Sequence, residues 1–345
     1  MDVIKSNNGF PYAWKAGRVE QLIRSILENK ARNQLNVDRV MLINPTWLHE
    51  NNLNQQIQDA DPDFIICHNF VDPVISQVHD TIIKSGRPYI IIGNTSCFRL
   101  DFWAMVCDLY FQHYTDQDTY VVSGAKSYIC LNRKPHPHRI RLVRQLQNSN
   151  VFDQGWVSLG LPGDQAMTVD STFNLDQGIA DEYGNVGIDE RFVSSKIKND
   201  IFSLGDLSIW NQSYLCLVTE TEFGNTDPDD FFISEKTWKP VLGHRPFFVY
   251  GQPKLREYLK NQGFDTFEDI FDYSMIDETL GEIERQVQYS RVAIKAIEKL
   301  NTMLGQAYCQ YCQQFYRFQS NRNRFTQYVY EQWTKLNDLD LRQFI

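Results

Sequence analysis

The segment FFISEKTWKPVLGHRPFFVYG, residues 231–251, decides how this chain is read. It spells a turn, a short amphipathic helix and a buried strand that ends in glycine. Ser234 is placed to cap the helix, which sets Glu235 and Lys236 in its first turn, where unpaired backbone N–H groups and the positive end of the dipole collect. A lysine among such groups suits a diphosphate. Just upstream, SYLCLVTETEF (213–223) is an apolar strand that delivers Glu220 and Glu222 at its carboxyl end. Ligands of open α/β sheets sit beyond those ends, so acidic and basic groups converge where a nucleotide would lie. The same SEKTW pattern also suits an ordinary capped helix with a solvated first turn.

LVTE (217–220), SEKTWKP (234–240) and RPFFVYG (245–251) together resemble the donor-binding signature of fucosyltransferase-like glycosyltransferases. That signature is a strand ending in an acidic residue, a Thr/Ser-Glu-Lys helix start, and an apolar strand closed by Gly. NRKPHPHRIRLVRQLQNSNVFDQGWVSLG (132–160) is similar to the opening of the same family's donor domain, with Asn132, Arg139 seven residues on, an apolar helix through Leu146, and the turn Phe152-Asp153-Gln154-Gly155. The resemblance spans roughly 130–272 and does not reach the N-terminal third. Thr221 stands where the family carries Asn, and 224–230 is an insertion between strand and helix.

The resemblance implies a GT-B-like α/β protein with two facing Rossmann-like domains: 1–131 for the acceptor, 132–278 for the donor, and 279–345 as helices crossing back. It implies an inverting, metal-independent glycosyltransferase that moves a sugar from a nucleotide-diphosphate sugar, GDP-fucose-like, to a hydroxyl acceptor. The nucleotide sugar is a co-substrate and no cofactor is expected. Arg139 matches the family's pyrophosphate-binding arginine, and Lys236 joins it on the phosphates. Glu235 would contact donor hydroxyls and stabilise the oxocarbenium-like charge, while Glu220 would orient the ribose or the sugar. The family draws its general base from the first domain. Asp101, on a loop beyond a strand end, is the assigned candidate, with Asp72 and His113 as others.

Bulk composition sets limits on partners. The 345 residues carry a formal charge of −9 with 42% hydrophobic and 13% aromatic residues, a profile of packed globular domains rather than disorder. That charge argues against tight duplex binding, which needs clustered Lys and Arg. The exception is RKPHPHRIRLVR (133–144), which holds four Arg, one Lys and two His. An alternative acceptor is therefore a modified base in DNA, handled by a virus-encoded enzyme. A non-catalytic nucleotide- or sugar-binding protein is the alternative from another class. Seven scattered cysteines suit a reducing compartment, and Cys309-x-x-Cys312 within a helical pattern reads as helix packing rather than zinc binding. No apolar run is long enough for a membrane span and no basic-then-apolar leader opens the chain, so a cytoplasmic protein of bacterial or viral type is expected. Neither Asp61-Pro62-Asp63, read as a turn ahead of a strand, nor the acidic run 227–230 is assigned a metal.

Along the chain, 19–29 and 73–86 read as helices, 101–114 as a helix or a helix plus strand, 39–47, 61–70 and 87–94 as strands and 119–132 as one or two strands, a doubly wound first half. Residues 165–192 read as long loops over the cleft. From 279 to 336 the periodicity is helical, with a break expected near 320–323.

Overall fold

The computed structural model describes residues 1–5, 15–44, 50–69, 76–93, 98–111, 119–121, 126–132, 136–159, 204, 207–224 and 232–345. Asp72, His113, the 165–192 segment and the acidic run 227–230 lie outside the described residues. The chain is α/β and divides into two compact units, each with its own parallel sheet. The first unit comprises Met1–Leu109, Asp227–Ile233 and Gln327–Ile345; the second comprises Tyr110–Thr226 and Ser234–Thr326.

In the first unit β1 (Asp2–Lys5), β2 (Arg39–Ile43), β3 (Phe64–Asn69), β4 (Tyr89–Gly93) and β5 (Phe98–Arg99) lie side by side in chain order, all parallel. A doubly wound half would reverse its strand order, and these described strands do not. Both faces of the sheet are nevertheless buried, as the apolar runs of β2–β4 require. Met41, Ile43, Ile65, Cys67 and Ile91 pack against Leu53 and Ile57 of helix Glu50–Ala60 and Val78 and Ile82 of helix Ser76–Lys84. Val40, Leu42, Phe64, Ile66, Ile90 and Ile92 are equally buried on the other face. Helix Lys15–Gln34 buries Val19, Ile23, Leu27 and Ala31, a stripe at four-residue spacing. Its Lys30 donates to the Asn337 and Leu339 carbonyls, and Gln34 accepts from the Leu341 amide, so the chain's last residues close this unit.

The second unit holds β6 (Lys126–Asn132), β7 (Gly155–Leu159), β8 (Ser213–Thr219) and β9 (Phe247–Tyr250) in the order β7-β6-β8-β9, all parallel. Because β6 pairs on both sides here, this unit begins ahead of the expected boundary at 132. The order reverses between β6 and β8. The crevice beyond their carboxyl ends is the place where doubly wound folds bind ligands. Helix Glu282–Thr302 packs on helix Pro137–Asn148, and Arg141 Nη1 donates to Gln286 Oε1 at 2.8 Å.

The C-terminal helical region breaks at Met303, between Glu282–Thr302 and Leu304–Asp338, and not near 320–323. The polar run at 320–324 stays helical because its side chains are spent on a neighbouring loop. Asn321 accepts from the Asp265 amide and donates to the Asp265 carbonyl, and Arg324 donates to the Gln262 carbonyl. Tertiary bonds override weak local propensity. Among the described residues no helix is long and apolar enough to cross a membrane.

The turn between helix Glu235–Leu242 and β9 depends on the bareness of Gly243. A Cβ there would overlap the Trp210 ring, which is itself fixed by Nε1 donating to the Leu204 carbonyl at 2.8 Å. Gly243→Ala should cost about 1–3 kcal/mol through overpacking, read as a lowered urea midpoint with an unchanged slope.

Candidate functional site at the β6–β8 switch point

Asn132 and Thr219 are the last residues of β6 and β8, the two strands that flank the crevice. Thr219 Oγ1 donates to Asn132 Oδ1 at 2.6 Å and ties the strand ends together. Helix Pro137–Asn148 starts just past β6, with proline early in its first turn, where its missing N–H costs nothing. This start carries His138 and Arg139 to the end of β8. His138 Nε2 donates to the Glu220 carbonyl at 2.9 Å, and Arg139 Nη2 donates to the carbonyls of Thr219 and Glu220, each at 3.1 Å. Arg139 is only 2% exposed. Its position therefore braces the strand end and contributes charge from beneath the crevice. Burial pulls the guanidinium down to about 10, while Glu220, Glu235, Cys130 and Glu222 oppose the shift, so it remains charged at neutral pH.

Glu220 does not stand open to a ribose or a sugar, as its sequence position suggested. It is fully buried, and both oxygens are occupied. Oε1 accepts from the Ser234 amide at 3.1 Å and Thr237 Oγ1 at 2.6 Å; Oε2 accepts from Ser234 Oγ at 2.6 Å and the Thr221 amide at 3.2 Å. A desolvated carboxylate needs such donors to remain in place. Their effect is to clamp the start of helix Glu235–Leu242 onto the end of β8. Ser234 is the N-cap, as expected, and its Oγ accepts from the Lys236 amide at 3.3 Å.

Of the clamped helix start, Lys236 is half-buried and its partner Glu235 is mostly buried. Lys236 Nζ sits 2.8 Å from Glu235 Oε1 and 3.3 Å from Ser234 Oγ, with side-chain exposures of 23% for Lys236 and 10% for Glu235. Burial alone would raise the Glu235 pKa, but Lys236 and Lys239 outweigh it and hold the carboxyl below its ordinary range. The result is a fixed anion beside an accessible ammonium at a helix N-terminus.

An aromatic stack backs the site. The His138 ring lies against Phe223 and Tyr250, with centroids 5.7 and 6.2 Å away, and Arg285 reaches over the far side of Phe223. Burial first, then the Arg139 charge, depress the His138 pKa to about 3, so its imidazole is neutral at working pH. The roles of His138, Thr237 and Lys239 were missed from sequence. His138 and Lys239 could have been suspected from their closeness to Arg139 and Lys236, whereas Thr237 carried no signal.

Asp101 is corrected most completely. It lies in the first unit, 2% exposed, and caps helix Phe102–Phe111 by accepting from the Ala104 amide at 2.9 Å. Its other oxygen accepts from Tyr328 Oη at 3.1 Å, and its own amide donates to Gln332 Oε1 at 3.1 Å. A cap committed on both oxygens is not placed to receive an acceptor's proton. Asp63 Oδ2 accepts from the amides of Asp38 and Arg39, and Asp61 pairs with Arg39 and Arg87, so this motif is a turn at the amino end of β3. Among the described residues no three His, Cys, Asp or Glu side chains gather as metal ligands would. Comparison with protein-family models, with curated proteins and with solved structures found no match to this chain.

Two measurements test this geometry. Thr237→Val removes one donor from the buried Glu220 carboxylate at nearly constant shape and should cost about 1.5–3 kcal/mol in denaturant unfolding, the range for hydrogen bonds to charged groups. The His138 imidazole has a folded pKa of about 3 against an ordinary 6.5, so its contribution is complete above pH 6.5 and is lost as pH falls toward 3. Across that window the parent's stability should fall more steeply than that of His138→Phe, by up to about 1.4 kcal/mol per pH unit. Equal slopes in the two proteins would remove the neutral-histidine assignment.

Proposed function

We propose that this chain is a glycosyltransferase of GT-B type that binds a nucleotide-diphosphate sugar at the β6–β8 switch point of the second unit. The observation that carries the reading is the clamped helix start, which puts the Lys236 ammonium and the Glu235 carboxylate side by side at the carboxyl end of a doubly wound sheet. Sugar transfer requires neutralisation of the leaving diphosphate, for which Lys236, the positive end of the helix dipole and the underlying Arg139 charge are the available groups. It also builds positive charge at the anomeric carbon. Glu235, held ionised by its two lysines, is positioned to stabilise that charge. The likeness of 130–272 to fucosyltransferase-like enzymes points to a GDP-fucose-like donor, a hydroxyl acceptor and an inverting, metal-independent course.

The capping role of Asp101 favours a second reading, a nucleotide- or sugar-binding protein without transfer activity, because the proton acceptor assigned from sequence is engaged elsewhere. Donor hydrolysis by the purified chain separates the two: sustained release of nucleoside diphosphate supports the transferase, and saturable binding without turnover supports the binding protein.

Lys236→Ala should weaken nucleoside-diphosphate binding by about 1.5–3 kcal/mol, roughly 10- to 150-fold, with little change in nucleoside binding. Glu235→Gln should lower the hydrolysis or transfer rate far more than diphosphate affinity. If Glu235→Gln keeps parental turnover and loses only the roughly 0.3–1 kcal/mol of a first-turn carboxylate, Glu235 is a helix-dipole partner and not part of the chemistry. Arg139→Ala should lower affinity and the unfolding midpoint together, because it leaves a buried acidic cluster without its cation.

A further inference from the structure

The second unit contains a cavity of about 420 Å³ at the edge opposite the candidate site. Leu215 in its wall belongs to the start of β8 and Pro246 immediately precedes β9, so the cavity opens at the amino-terminal ends of the strands. Five residues of extended chain separate Leu215 from Glu220, roughly 16 Å. A diphosphate at Lys236 therefore does not occupy it.

Its chemistry is amphipathic. Tyr214, Tyr311 and Phe318 supply aromatic wall, and Ile270 and Leu300 supply aliphatic wall. The Tyr311 ring is held firmly, with Arg245 Nη1 donating to its hydroxyl at 3.0 Å and the guanidinium lying over its face at 5.2 Å. Tyr311 also packs on Tyr214 and Phe318, at 6.4 and 5.2 Å between centroids. Such a wall is formed before any ligand arrives, as small-molecule sites usually are, and the volume lies within their ordinary range of about 300–1,000 Å³.

Two charged residues line the cavity, and one of them is held in an ion pair. The Asp269 carboxylate is taken by Arg317, whose Nη1 and Nη2 donate to its two oxygens at 2.9 and 2.8 Å. Those bonds hold Asp269 below its ordinary range although burial opposes them. Lys299 Nζ, by contrast, reaches the Asp269 main-chain carbonyl at 3.4 Å, and no carboxylate among the described residues lies within ion-pair distance of it. The Lys299 charge is felt by the Asp269 carboxylate, yet Arg317 holds that carboxylate, so an apolar cleft keeps at its mouth an ammonium outside any direct ion pair, which selects for a particular ligand class.

We infer that this cavity is a second small-molecule site that binds an amphipathic organic anion, its apolar body between Tyr214, Tyr311 and Phe318 and its acidic group on Lys299. The inference does not depend on the proposed transferase function. Because the walls come from helix Glu282–Thr302, helix Leu304–Asp338 and the sheet edge, an occupant would bridge the two helices across their break at Met303.

The test uses the intact chain and two fluorescent probes of like shape, anilinonaphthalene sulfonate, which is anionic, and N-phenylnaphthylamine, which is neutral. Anilinonaphthalene sulfonate should bind at a single saturable site, and Lys299→Gln should weaken it roughly tenfold while leaving the neutral probe nearly unaffected, the loss of one charge-assisted contact. Gln314→Trp, a change at the half-buried rim that leaves the core intact, should block both probes without lowering the melting temperature. Lys236→Ala should leave probe binding unchanged, and nucleoside diphosphate should not displace the probe. Absence of saturable binding, equal binding to the parent and Gln314→Trp, or an equal loss of both probes on Lys299→Gln would each overturn the assignment.

Discussion

The second unit turns on one buried carboxylate. Glu220 gives up all hydration and receives four donors in exchange, two from Ser234 and one each from Thr237 and Thr221. A charge so enclosed is costly to bury and costlier to leave half paired, so the network is held as a unit. Its consequence is geometric. The helix that follows β8 must begin where Glu220 can hold Ser234, and Lys236 and Glu235 then fall at the mouth of the crevice. From the other side, His138 and Arg139 secure the Glu220 carbonyl, so the strand end is fixed by both its main chain and its side chain.

This arrangement separates residues that hold from residues that face a ligand. Arg139, Glu220 and Asn132 share the position that the sequence assigns to the donor site, yet each is buried and committed to neighbouring protein groups. Lys236 is the charged group of this set that keeps 23% of its side chain exposed, with the mostly buried Glu235 carboxylate against it.

Much of the second unit was legible because local rules agree there. Ser234 reads as a cap, the residues after it as a short amphipathic helix and Phe247–Tyr250 as a buried strand, and all three follow from neighbours a few residues away. The roles of Glu220 and Asp101 were not legible. A carboxylate just past a strand reads the same whether it faces a ligand or caps a helix, and only tertiary partners decide: Thr237 for Glu220, Tyr328 for Asp101. The sequential strand order of the first unit was hidden for a related reason, since buried parallel strands carry no mark of which neighbour they pair with. The helix break misled in the opposite direction. Residues 320–323 look like a stop, and bonds from Asn321 and the adjoining Arg324 to the carbonyls of Asp265 and Gln262 hold the helix through them.

The clamped start of helix Glu235–Leu242 is proposed to receive an anion. Hydrogen exchange of the intact chain with and without a nucleoside diphosphate tests it most directly, because a ligand seated on this helix start slows the local opening through which its hydrogen-bonded amides exchange. Exchange should slow in the first turn, at 234–238, with the amides of Tyr214 and Leu215 at the opposite edge unchanged. Binding that slows exchange elsewhere and leaves 234–238 untouched would contradict it.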